Sequence, residues 1–218
     1  HPAAIRPMPL AHQVKQAPPT PRWLWVALLM IITVVATLTP PFQAPDEYNH
    51  VARADMLSRG QLWLNSSNGL PSGGLVDKAL FDYMDRFHGM DGRKEVKVSA
   101  SQLTTASWID WTGIEVRAAI PNLTYYFPAI YLPQAAGLWL GRQINLSVDM
   151  SYMLARASAL TFSVAILALA FRLWKPSALT LVVVALPMSV FLFASAAIDG
   201  LANALTVLLL STFWRLRS

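Results

Sequence analysis

Residues 176–198 run for 23 positions without a charged side chain, and most of the chain's second half is built of similar stretches. A bilayer core of about 30 Å is crossed by roughly 20 helical residues, so lipid is the first constraint on a chain of this kind. The charges are distributed accordingly. Only 13% of the 218 residues are charged, and 10 of the 12 acids lie between positions 40 and 122. A soluble domain carries about 25% charged residues. The apolar content excludes a disordered chain, and the absence of cysteine excludes a disulfide-stapled secreted scaffold. What remains is an all-α integral membrane protein with one large water-facing segment. The net charge of +5 does not signal nucleic acid, because most basic residues outside that segment flank apolar runs, where they orient a chain in a membrane.

Four spans are expected. The first covers residues 23–40, after a cytoplasmic tail over 1–22. Arg22 and two tryptophans anchor one end, and Pro40 and Pro41 stop the helix at the other. The run is longer than a signal-peptide core and no small-residue cleavage pattern follows it. The others cover 150–171, with Arg156 near the start, then 176–197 and 200–214.

A fifth uncharged tract, residues 118–141, decides the topology. It contains Pro121, Pro128 and Pro133, which remove amide donors and disrupt the hydrogen-bond ladder that lipid demands. If it does not cross, all the charges flanking the spans (Arg6, Lys15, Arg22, Arg172, Lys175, Arg215 and Arg217) share the cytoplasm, as the positive-inside rule prefers. Residues 41–149 then form one extracytoplasmic loop with juxtamembrane helices expected at 46–59, 75–90 and 123–141. Asp199, between the last two spans, opens on the same side as that loop.

The loop begins with QAPDEYNHVARADMLSRG. Asp46 is suited to cap a helix, Glu47 to its first turn, and Gly60 to its C-terminus. On that helix Asp46, Glu47, His50 and Arg53 stand three and four apart, so two carboxylates, an imidazole and a guanidinium can converge. Such a set is able to hold a divalent cation, act as a general base or bind a phosphate, and solvated charges on a capped surface helix read equally from the spacing. Asp77, Asp82 and Asp85 are expected on the wet face of the second juxtamembrane helix, with His88 an ordinary surface residue. Trp108 and Trp111, and Tyr125, Tyr126 and Tyr131, fit an aromatic belt at the membrane interface. Arg156 reads as a snorkelling cation or a ligand for a lipid phosphate, and Asp199 as a helix cap or an outer acid. There is no internal repeat, phosphate-cradling glycine loop or nucleophile elbow.

The stretch PPFQAPDEYNHVARA resembles the opening loop of domain-of-unknown-function family 2142, a group of predicted bacterial integral membrane proteins. YYFPAIYLPQAAG, followed by MLARASAL, is similar to that family's Tyr-x-Pro-x-x-Tyr-x-Pro-Gln segment and the arginine-bearing span after it. ALPMSVFLFASAAIDGLANAL is similar to its Pro-Met and Ser-x-x-x-Asp-Gly segment, here Pro187, Met188, Ser195, Asp199 and Gly200. Together the three ordered stretches cover about two-thirds of the chain. The family's layout in turn resembles that of GT-C type glycosyltransferases, multi-pass enzymes of the bacterial inner membrane. These move a sugar from a polyprenyl-phosphate carrier to an acceptor glycan on the outer face. The resemblance implies Asp46 as catalytic acid–base residue, assisted by Glu47, with Asp199 as the second outer acid. It implies a phosphate or substrate role for His50, Arg53, Arg156 and Tyr131. Mg²⁺ or Mn²⁺ is an expected option, with Asp46, Glu47 and His50 as its ligands. The chain is short beside such enzymes, which implies a truncated member or an N-terminal part of one. Two rival readings are a non-catalytic scaffold that docks other membrane subunits, and a transporter or flippase. The latter expects repeats or a deeply placed charge, and neither is visible.

Overall fold

A computed structural model describes residues 22–66, 69–90, 93 and 95–217. The expected cytoplasmic tail, with Arg6 and Lys15, lies outside the described residues. So do residues 67, 68, 91, 92, 94 and 218.

Helix α1 (Arg22–Leu38) takes most of the first apolar run and ends before Pro40 and Pro41. Helix α2 (Glu47–Ser58) follows after a tight turn. Its C-terminus is closed by Gly60 at φ 83°, whose N–H donates to Leu57 O while the Gln61 N–H donates to Met56 O. Only glycine takes that conformation without strain, which is why the chain turns there.

The expected helix over 75–90 is instead a strand and a shorter helix. Strand β1 (Gly73–Asp77) pairs antiparallel with β2 (Glu115–Ala119), with Gly73 opposite Ala119 and Asp77 opposite Glu115. A Cβ at Gly73 would run into the Ala118 carbonyl, so the close pairing depends on glycine. Helix α3 (Lys78–Asp85) then starts from Asp77, whose carboxylate accepts the Ala79 N–H at 2.9 Å. Asp82 pairs with Lys78 at the surface, but Asp77 is fully buried rather than on a wet face. Helix α4 (Ala100–Ser107) opens with a capping box between Ser99 and Gln102. The proline-rich tract gives β2, two short 3-10 turns and α5 (Leu132–Gln143), 12 residues long. At 1.5 Å per residue α5 spans about 18 Å, too short to cross a bilayer.

Helix α6 (Val148–Leu173) has 26 residues and is, among the described residues, the one helix long and apolar enough to cross a membrane. It forms an antiparallel hairpin with α5. Gly137 lies against the backbone of Ala155, and Gly141 against Ser151, so closely that a Cβ at either would collide. This glycine pair at a spacing of four lets two helix backbones approach.

Residues 176–197 do not form a single spanning helix. They give α7 (Ala178–Ala185) and α8 (Pro187–Phe193), separated where Leu186 takes ψ 142° ahead of Pro187. Proline removes an amide donor and pushes its predecessor out of helical conformation. Residues 194–198 stay non-helical, and α9 (Asp199–Arg217) closes the chain.

Two apolar cores result. One, around Ile32, Leu167, Val184, Phe193 and Ala204, joins α1, α6, α7, α8 and α9. The other lies under the loop, where Phe42 is ringed by Tyr48, Tyr83, Phe87 and Tyr152 at centroid distances of 4.6 to 6.0 Å. An ion network pins this second unit. Asp55 accepts from Arg59 Nε at 3.1 Å, from the Asp77 N–H at 3.1 Å and from Arg142 Nη2. Arg59 reaches on to Asp77 at 2.8 Å. Burial raises the Asp77 carboxyl, but hydrogen bonds from Thr112, Ala79 and Gly113 outweigh it and hold the group below its ordinary value. Arg142 also lies over the Trp111 ring at 4.2 Å, so the end of the proline-rich tract returns to the loop. Asp55→Ala leaves Arg142 without its ion-pair partner and Arg59 with Asp77 and Glu115 alone, and is expected to destabilise the fold by about 3 kcal/mol. Lys78→Ala, which breaks an exposed pair, should cost about 0.3–0.5 kcal/mol. Thermal unfolding of the two reconstituted variants checks this contrast.

Candidate functional site

The loop opens onto the bundle at the turn before α2. Asp46 adopts φ 55°, a left-handed conformation, and makes no side-chain cap to its own helix. The expected cap is therefore absent: the left-handed turn carries the carboxylate away from the α2 amides and leaves it exposed. It lines a cleft of about 480 Å³ with Tyr48, Asn49 and, from α8, Met188 and Phe191.

Glu47 points the other way. It is 1% exposed, and its carboxylate accepts from Tyr152 Oη at 2.8 Å, the Ala196 N–H at 2.7 Å and the Ala44 N–H at 3.1 Å. With three donors already in place it is an anchor between α2, α6 and the stretch after α8. Spacing alone could not show this, because two of its partners lie more than a hundred positions away.

His50, one turn further along α2, is buried. Its Nδ1 stands 3.2 Å from Tyr131 Oη, and its ring lies 6.3 Å from that of Tyr126. Burial pulls the imidazole below its ordinary value of 6.5, while the carboxylates of Asp199 and Asp46 act in the opposite sense. Both acids thus stand close enough to act on one imidazole. Asp199, half-buried in the first turn of α9, also acts on Tyr131, whose hydroxyl is raised by burial and lowered in part by Arg53. Gly200 allows α9 to start here: a Cβ would stand 2.9 Å from Leu192 O.

The two arginines are placed differently from the phosphate ligands expected. Arg53 is buried and donates to Gln61 O at 2.9 Å and Leu62 O at 2.6 Å, with its guanidinium 5.8 Å from the Tyr131 ring centroid. Burial lowers its pKa, and the Tyr131 phenol opposes that. Arg156, also buried, donates to Ala194 O at 2.9 Å and Thr39 O at 3.1 Å. Both guanidinium groups hold non-helical backbone, so neither snorkels nor presents itself to a lipid phosphate. Nor is the expected set of Asp46, Glu47 and His50 gathered around a cation, since Glu47 is turned away. Among the described residues no three metal-ligating side chains are placed to hold a metal.

Two residues passed over in the sequence complete the site. Gln134 Nε2 donates to Ala197 O at 3.3 Å, and Tyr152 links Glu47 to the Phe42 N–H. The Gln134 signal lay in the Tyr-x-Pro-x-x-Tyr-x-Pro-Gln stretch, whose last residue it is. Tyr152 had no local signal. Of the expected aromatic belt, Trp108 and Tyr125 are exposed, while Trp111 is held by Ser151 Oγ at 3.0 Å and by Arg142.

The site is thus assembled from the start of α2, the turn before α5 and the start of α9, the segments that carry the resemblance. Residues 28–218 match the family described as predicted membrane protein (DUF2142). The chain belongs to that family. No curated protein and no solved structure matches it.

The buried imidazole of this DUF2142 member sets an expected pH dependence of stability. The folded state keeps His50 neutral where an unfolded chain already binds a proton, so below about pH 6.5 the unfolded state takes up more protons and gains stability. Stability should fall as pH drops through 6.5 and level off below the lowered native value. His50→Gln, which keeps a partner for Tyr131, should flatten that dependence in thermal unfolding recorded from pH 7.5 to 5.5.

Proposed function

We propose that this DUF2142 protein belongs to a membrane glycosyltransferase of the GT-C type, acting on the outer face of a bacterial inner membrane. One observation carries the reading: Asp46, at the head of α2, lies exposed in a cleft against α8, while its neighbour Glu47 is locked into the bundle. In the proposed topology the N-terminus and the C-terminal end of α6 are cytoplasmic, the membrane is crossed several times, and residues 41–149 are extracytoplasmic. The capture of Arg142 by Asp55 supports the return of the proline-rich tract to the loop.

The substrates are a sugar on a polyprenyl-phosphate carrier and a hydroxyl of an acceptor glycan. The acceptor oxygen attacks the anomeric carbon as the bond from that carbon to the phosphate oxygen breaks. The bonding pair leaves with the polyprenyl phosphate, and the acceptor proton passes to the exposed carboxylate of Asp46. Inversion at the anomeric carbon follows. A phosphate leaving group needs no protonation at neutral pH, so one base suffices. Asp199 and the neutral His50–Tyr131 pair orient the acceptor, while Glu47, Arg53 and Arg156 hold the walls of the site. No metal enters the reading.

A single positioned base contributes about 10²–10⁴-fold to a rate. Asp46→Asn in membrane vesicles supplied with radiolabelled lipid-linked sugar should therefore lose transfer by that factor, with the protein still inserted and folded. Asp199→Asn should weaken transfer less. Undiminished transfer by Asp46→Asn removes it from the role. A scaffold would tolerate both substitutions with no change in glycan chemistry.

A further inference from the structure

At the end of the bundle away from the Asp46 site, α1, α6, α7 and α8 enclose an apolar groove of about 500 Å³. Leu29, Leu167, Val184 and Phe193 are among its walls, and Arg172 and Lys175 stand at its mouth. Both cations are exposed, and among the described residues neither has an ion-pair partner. The surrounding sequence offers none. Residues 1–45 and 150–198 contain no acid, and Asp149 is at the opposite end of α6. Trp174 stacks on Trp214 at 6.5 Å, so α9 brings Arg215 and Arg217 to the same end. An apolar slot of ligand size that opens under paired cations matches one chemistry: an acyl chain below a phosphodiester.

We propose that this groove binds an anionic phospholipid of the cytoplasmic leaflet, with one acyl chain between α1 and α6 and its phosphate held by Arg172 and Lys175. The charge complementarity selects the headgroup, and the uncharged walls select the chain. The site does not depend on the glycosyl-transfer chemistry, and only the choice of leaflet rests on the proposed topology. Its position gives it a role: the lipid bridges α1 and α6 to Val184 of α7 and Phe193 of α8, and so holds α1 against the broken pair.

The test uses the full chain in nanodiscs containing either phosphatidylglycerol or phosphatidylcholine, then released for native mass spectrometry. Phosphatidylglycerol should be retained and phosphatidylcholine lost. Retention should fall at least tenfold in an Arg172→Gln, Lys175→Gln double variant and persist in Arg172→Lys, Lys175→Arg. Ala168→Trp, which fills the groove without touching the charges, should expel the lipid, and Leu29→Trp serves in its place where Ala168→Trp fails to insert. Equal retention of the two lipids overturns the proposal. So does undiminished phosphatidylglycerol in the groove-filling variant, or a concentration-dependent dimer that this variant dissociates while lipid retention stays unchanged.

Discussion

Residues 194–198 lie non-helical between two apolar helices, and the rest of the architecture depends on how their backbone groups are satisfied. An unpaired amide or carbonyl away from water costs several kcal/mol, so such a stretch persists only where side chains replace the missing helical partners. Arg156 takes the Ala194 carbonyl, Glu47 the Ala196 N–H and Gln134 the Ala197 carbonyl. Each of these side chains comes from a different helix. Arg156 also holds Thr39 O just past α1, and Glu47 the Ala44 N–H just before α2. The start of the loop, the N-terminal half of α6 and the entry to α9 are therefore fixed to one another through a single unwound segment. Asp46 at the head of α2 and Asp199 at the head of α9 flank the groups that this clamp ties together.

The same clamp explains why the segments that carry the family resemblance belong together. Pro187 breaks the helix, Met188 faces the Asp46 cleft, Ser195 closes the turn by donating to Leu192 O, and Gly200 makes room for α9 to start. Pro128 begins the short turn that presents Tyr131 to His50, and Gln134 follows three residues later. Some of these residues solve a local problem, as Pro187, Ser195 and Gly200 do, and others, such as Tyr131 and Gln134, meet a partner distant in sequence. The ion network around Asp55 does a separate job: it ties α2, β1, β2 and α5 into one unit, so that the clamp acts on a rigid loop.

What the sequence made legible divides along the same line. Helices α1, α2, α6 and α9 announce themselves by uncharged runs or apolar spacing, and the stop at Gly60 follows from glycine after a periodic segment. The strand at 73–77 did not, because its partner lies forty positions away and five residues carry little periodicity of their own. An uncharged run is also blind to a proline within it, so 176–197 read as one span although Pro187 divides it. For the site, spacing and resemblance indicated Asp46, His50, Tyr131 and Asp199, of which the structure puts His50 and Tyr131 in contact and Asp46 in the cleft beside α8. They could not distinguish Glu47 from its neighbour, or show that Arg53 and Arg156 are taken up by carbonyls, because burial is decided by Tyr152, Leu62 and Ala196, elsewhere in the chain.

The contrast between the two adjacent carboxylates carries the functional argument furthest. Glu47 has regular helical backbone, three hydrogen-bond donors and no access to solvent. Asp46 has a left-handed backbone, no cap and an open cleft. A non-glycine residue held at positive φ costs on the order of 1 kcal/mol, and an aspartate that declines its helix cap gives up about as much again. Local preference would relax both by turning Asp46 back onto the α2 amides. Glu47, the next residue, is locked to α6 and to residue 196, and Asp46 stays in the left-handed turn beside it. The anchored acid thus stands next to an exposed, uncapped carboxylate that lines the cleft. A chain that breaks its local rules in this way marks a residue worth testing for chemistry, and the proposed base is that residue.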